Sequence, residues 1–117
     1  MKKLLVIEND AGTLDMIGYI FEHSGFKVVE SLKKISVSEI DQLNPNIVVI
    51  DYLLVDGLGS DLCLEIKSNP HTNHLPVILY SASSKIAQVA HDSGADAFIA
   101  KPFDLDYFVK MVNSLAL

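Results

Sequence analysis

Apolar residues fall in short, nearly unbroken runs: Leu4–Ile7, Phe26–Val29, Ile47–Ile50, Val77–Tyr80 and Ala97–Ala100. Most are rich in Val, Ile and Leu and do not alternate with polar residues, which is how strands buried on both faces read. The stretches between them have helical spacing. Leu14, Ile17 and Phe21 recur at steps of three and four, and Gly25 follows as a stop. Ser36-Val37-Ser38-Glu39 is a capping box that opens a short helix with Val37, Ile40 and Leu43 inward. Leu58, Leu62 and Ile66 line a third helix, ending near Asn69-Pro70, and Ile86, Val89 and Ala90 a fourth, stopped at Gly94. Asp104 caps the last helix, with Phe103 and Phe108 as a hydrophobic staple. Its apolar face is Leu105, Phe108, Val109, Val112 and Leu115.

Strand and helix therefore alternate five times. That pattern predicts an α/β fold: a doubly wound, five-stranded parallel sheet with helices on both faces. Right-handed crossovers point to strand order 2-1-3-4-5. A site in such a sheet lies beyond the carboxyl ends of the strands, where strands 1 and 3 diverge.

Length and charge narrow the possibilities. The chain has 117 residues, half of them hydrophobic, which suits one domain over 1–117 with its own core. Asp and Glu number 15 against 9 basic residues, all lysines, for a net charge of −6. An acidic chain without Arg is a poor match for nucleic acid or an anionic membrane. The single cysteine, Cys63, excludes an internal disulfide and a Cys-based zinc cluster, and fits a cytoplasmic location. The apolar run after Met1-Lys2-Lys3 stops at Glu8, too short for a signal peptide.

The first polar residues after the strands carry the chemistry. They are Glu8, Asn9 and Asp10 after the first, Asp51 after the third, Ser81 after the fourth and Lys101 after the fifth. Hard oxygen ligands suit Mg²⁺, which binds through one or two carboxylates and keeps several waters. Beside such a cation, Asp51 is placed to accept a phosphoryl group, since carboxylates form aspartyl phosphates. Lys101 and the Ser81 hydroxyl are suited to two of its oxygens.

At these residues the chain resembles the receiver domain of two-component response regulators, over essentially its whole length. Asp51-Tyr52-Leu53-Leu54-Val55-Asp56-Gly57-Leu58-Gly59 is similar to the family's acceptor loop, with a Gly eight places after the Asp. Leu79-Tyr80-Ser81-Ala82 resembles the strand that carries the hydroxyl, with Ser for the commoner Thr. Ser93 to Phe98 and then Ala100-Lys101-Pro102-Phe103 resemble the C-terminal signature.

The resemblance implies a flavodoxin-like fold and a phosphoacceptor, Asp51. It implies Mg²⁺ held by Glu8, Asn9, Asp51 and the backbone carbonyl of Leu53. It also implies a cis bond before Pro102 and a switch formed by Ser81 and Phe98. The phosphodonor would be a sensor histidine kinase or a phosphotransfer protein. Only one helix's length follows Pro102, so a stand-alone receiver is expected, signalling to an unidentified protein as a monomer or weak homodimer. Two departures stand out. Glu8-Asn9 replaces the usual acidic pair, which should weaken Mg²⁺ binding, and Asp10 reads more simply as a helix cap. Val55 stands where Pro is common. Leu53 and Ser83 match the positions that tune water access, and apolar Leu53 favours a long-lived phosphate.

Alternatives remain open from the residues. A receiver that binds partners without phosphorylation would tolerate Asn9. A haloacid dehalogenase-type phosphatase would need an acid two residues after Asp51, where Leu53 stands. A flavodoxin-type electron carrier would need a Ser/Thr/Gly-rich loop after the first strand. Cys63 reads as a buried, inert thiol, and the four histidines show no metal-ligand spacing.

Overall fold

A computed structural model describes all of residues 1–117. Five strands form one parallel sheet: β1 (Lys3–Ile7), β2 (Lys27–Ser31), β3 (Ile47–Asp51), β6 (Val77–Ser81) and β7 (Ala97–Ala100). Their order is β2-β1-β3-β6-β7, the 2-1-3-4-5 pattern that strand–helix alternation predicts. Two further strands, β4 (Leu53–Leu54) and β5 (Gly57–Leu58), pair antiparallel as a separate small hairpin. The helices are α1 (Ala11–His23), α2 (Val37–Leu43), α3 (Gly59–Ser68), α4 (Ile86–Ser93) and α5 (Leu105–Leu115).

Alternation of side chains along each strand divides the core in two. Leu5, Ile7, Val48, Ile50, Val77 and Leu79 point to the face covered by α2, α3 and α4, where they meet Ile40, Leu62, Ile66 and Ile86. Leu4, Val6, Val49, Ile78, Tyr80 and Ile99 point to the other face, against Leu14, Ile17 and Phe21 of α1 and Phe108 and Val112 of α5. The central strands are therefore apolar except at an end, at Lys3, Asp51 and Ser81, because both directions lead into a core.

The edge strands differ from the sequence expectation. In β2 no residue is fully buried, and Phe26, read as part of that run, precedes the strand. In β7 only Ile99 is buried. Neither edge strand has a neighbour on both sides, so its outer residues meet solvent. Two helix assignments also shift. Leu105 opens α5 facing solvent rather than the core, and Leu58 precedes α3 as its N-cap residue. Ser36 does cap α2, its Oγ accepting from the Glu39 N–H at 3.1 Å. The Phe103–Phe108 staple forms, edge to face with centroids 5.0 Å apart.

Gly59 is the glycine eight places after Asp51, and its packing explains it. A Cβ there would collide with the Asp51 backbone carbonyl and lie 2.7 Å from Ile50 Cγ2. The first turn of α3 thus rests directly on the end of β3. Substituting Gly59→Ala is expected to destabilise the fold by about 1–3 kcal/mol, because backbone cannot yield as a side chain does. Thermal melting checks this, and an unchanged midpoint would contradict it.

Cys63 sits in the α3 side of the core with its thiol donating to the Ser93 carbonyl at 3.4 Å. Burial pushes its pKa up from 9.0 to about 11. A thiol reagent at pH 8 should therefore leave the folded protein unlabelled and label the unfolded chain fully. The unfolded chain loses this proton first as pH rises. The group's contribution to stability is complete below 9.0 and declines up to about 11.

Candidate functional site

The carboxyl edge of the sheet gathers four of the residues singled out from the sequence. Glu8 follows β1, Asp51 ends β3, Ser81 ends β6 and Lys101 follows β7. The register sets Asp51 opposite Tyr80 and Ser81 opposite Ala100, so the ends of adjacent strands stay level. Glu8 and Asp51 are 1% and 5% exposed. Lys101 spans the gap between them: its Nζ lies 3.5 Å from Glu8 Oε1 and 3.6 Å from Asp51 Oδ2. The Lys101–Pro102 bond is cis.

One lysine faces two buried carboxyl groups, and the electrostatics reflect the imbalance. Glu8 is pushed up to about 7, first by burial and then by the adjacent Asp51 carboxyl. The Tyr80 hydroxyl and Lys101 work in the opposite direction. Crowded oxygens carrying excess negative charge are what a hard divalent cation relieves. The residues present therefore fit such an ion. No third His, Cys, Asp or Glu joins the pair. Further ligands would have to be neutral oxygens, of which the Asn9 amide and the Leu53 carbonyl are the sequence candidates.

Other predicted residues stand in different relations to this centre. Asn9 is exposed at its rim. Asp10 caps α1: its Oδ2 accepts from the Thr13 N–H at 2.8 Å and from the Thr13 hydroxyl at 2.7 Å. Those bonds lower its pKa. The Leu53 N–H approaches Asp51 Oδ1 at 3.4 Å, while its side chain is 55% exposed. Ser81 Oγ makes no bond to Asp51 and accepts from the Ser83 N–H at 3.0 Å. Phe98 is 42% exposed, in a groove between β7 and α5 that Tyr107 and Met111 also line.

Tyr80 belongs to the site, and sequence reading placed it only in the strand. Its hydroxyl donates to Glu8 Oε2 at 2.8 Å, and the Lys101 ammonium lies 4.5 Å from its ring centroid. Burial and the Glu8 carboxylate push its pKa far up, so the phenol remains a donor. The available signal was a tyrosine closing an aliphatic run, since a buried phenol needs a polar partner.

Residues 4–113 match the family described as response regulator receiver domain. The chain is 27% identical over 118 residues to the DNA-binding dual master transcriptional regulator RpaA of Synechocystis, covering 98% of this chain and 49% of that protein. It thus spans about half the length of the curated relatives it matches first. Among solved structures, the Francisella response regulator 1452 receiver domain superposes with a TM-score of 0.83 at 26% identity, covering 98% and 96% of the two chains. The receiver domain of a sensor histidine kinase from Pseudomonas aeruginosa, with magnesium coordinated in its active-site cleft, superposes with a TM-score of 0.87. That pair shares 17% identity over 97% of this chain and 96% of the other, a likeness of fold alone. No helix here is long and apolar enough to cross a membrane. With its sheet order and the family match in agreement, this chain belongs to the response regulator receiver domains.

Proposed function

We propose that the protein is a phosphoacceptor switch: Asp51 takes a phosphoryl group from a phosphohistidine on a sensor kinase or phosphotransfer protein. The observation that supports this reading is the buried Glu8–Asp51–Lys101 cluster, an acceptor carboxylate with a cation already poised beside it. An Asp51 carboxylate oxygen attacks phosphorus as the P–N bond breaks, and the departing imidazole keeps the electron pair. Bound Mg²⁺ would offset the charge of the phosphoryl oxygens. Glu8, Asp51, Asn9 and the Leu53 carbonyl are the residues to hold it. Lys101 then shifts its attraction from the two carboxylates to a phosphoryl oxygen. Ser81 can keep accepting from Ser83 while its own proton goes to another oxygen, since a hydroxyl both donates and accepts.

The output is a population shift. The aspartyl phosphate carries about −1.5 to −2 charges in place of the carboxylate's single one, on oxygens that Ser81 and Lys101 can reach. Drawing Ser81 inward vacates space at the end of β6, and Phe98, now outward, is the side chain on β7 to turn in. The groove it leaves, against Tyr107 and Met111, changes shape and is read by a protein partner. Leu53 offers the attacking water no hydrogen bond, so the phosphate is long-lived.

Acetyl phosphate with Mg²⁺ should raise the intact mass by one phosphoryl group, about 80 Da. The Asp51→Asn protein should show no rise, and labelling that persists in it would overturn the reading. If the wild type is never labelled, the protein acts instead as a phosphorylation-independent binding module, the reading that Asn9 favours.

Asn9 carries a separate expectation. Replacing it by an acid adds a full charge a few ångströms from the ion, so Asn9→Asp should tighten Mg²⁺ binding by about tenfold to several hundredfold. Asp10→Asn should leave it nearly unchanged, because Asp10 is occupied with Thr13. A Mg²⁺ titration by calorimetry or tyrosine fluorescence checks both. Loss of binding in Asp10→Asn without gain in Asn9→Asp would make Asp10 the ligand.

A further inference from the structure

We propose that Tyr80 is the positioning residue for Lys101: its ring face is the seat that keeps the ammonium between Glu8 and Asp51 before any ligand arrives. The contacts of Lys101 with the carboxylates are long, 3.5 and 3.6 Å, against about 2.7–2.9 Å for a well-formed charge-assisted bond. They attract the ammonium without fixing it. The remaining contact is the ring, whose centroid is 4.5 Å from Nζ, well within the range of about 6 Å for a cation over an aromatic face.

That ring is itself held on every side. It is fully buried, edge to face with Phe103 at 6.2 Å and tilted against Phe108 at 6.2 Å. Its hydroxyl is anchored on Glu8. Its backbone pairs with Asp51 on one side and Ile99 on the other, so it lies between the acceptor strand and the strand that leads to the lysine. An aliphatic residue at this position would fill the core but offer no negative face to a cation. The consequence for phosphoryl transfer rests on the reading of Asp51 as acceptor; the placement of Lys101 does not.

The test compares Tyr80→Phe with Tyr80→Leu, because both lack the hydroxyl and only the second lacks the ring. Tyr80→Met serves as a second ring-less variant should Tyr80→Leu fold poorly. The first readout is ¹³C relaxation of the Lys101 ε-carbon, without phosphodonor. Wild type and Tyr80→Phe should show an ordered ε-carbon, and Tyr80→Leu and Tyr80→Met one as mobile as a free surface lysine. The second readout is the acetyl phosphate labelling rate, expected to be about 2- to 30-fold slower in Tyr80→Leu than in Tyr80→Phe. An ε-carbon as ordered in the ring-less variants as in Tyr80→Phe would overturn the proposal. If no protein is labelled, wild type included, the acceptor reading fails while the relaxation result still decides the role of Tyr80.

Discussion

Two carboxyl groups lie buried at the end of the sheet with a single ammonium against both. Isolated charges are costly to bury, and this trio is tolerable because each member offsets part of another's cost. Glu8 shows the residual strain, since burial and Asp51 together push it well above the ordinary carboxyl range. The rest of the molecule serves to hold that unstable arrangement in place. A cluster short of positive charge is ready for a cation.

The parallel sheet makes the arrangement possible. Strands that run the same way end at the same edge, and the β3–β6–β7 register sets Asp51 level with Tyr80 and Ile99, with Ser81 and Ala100 one residue on and Lys101 just beyond. The central strands are locked from both faces, so their ends have little freedom. Gly59 lets α3 start directly against the Asp51 carbonyl, closing the acceptor loop at its far end. The hairpin between them leaves Leu53 and Val55 exposed at the rim. The centre is thus rigid beneath and open above, the geometry that the proposed transfer from a phosphohistidine calls for.

The fold was legible because periodicity reports burial. In β1, β3 and β6 every apolar residue faces a core, and an unbroken apolar run announces it. The edge strands depart from the doubly buried pattern because half of each one meets solvent, and the β4–β5 hairpin is too short to leave a pattern. Leu105 fits the helical spacing yet lies outside the core, because one apolar residue at a helix start satisfies the pattern without reaching inward. That Glu8, Asp51, Ser81 and Lys101 share an edge followed from where the strands stop. The direction of each side chain did not follow. Ser81 turning to Ser83, and Tyr80 reaching between Glu8 and Lys101, depend on local geometry that residue type does not encode.

The central claim is that the Asp51 carboxylate carries the phosphoryl group. Borohydride reduces an acyl phosphate to the alcohol, so an aspartyl phosphate leaves homoserine behind. Protein treated with acetyl phosphate and Mg²⁺, reduced and digested, should yield homoserine at position 51 and nowhere else in the peptide map. A reduced residue at Glu8 or Asp10, with Asp51 intact, would contradict the account.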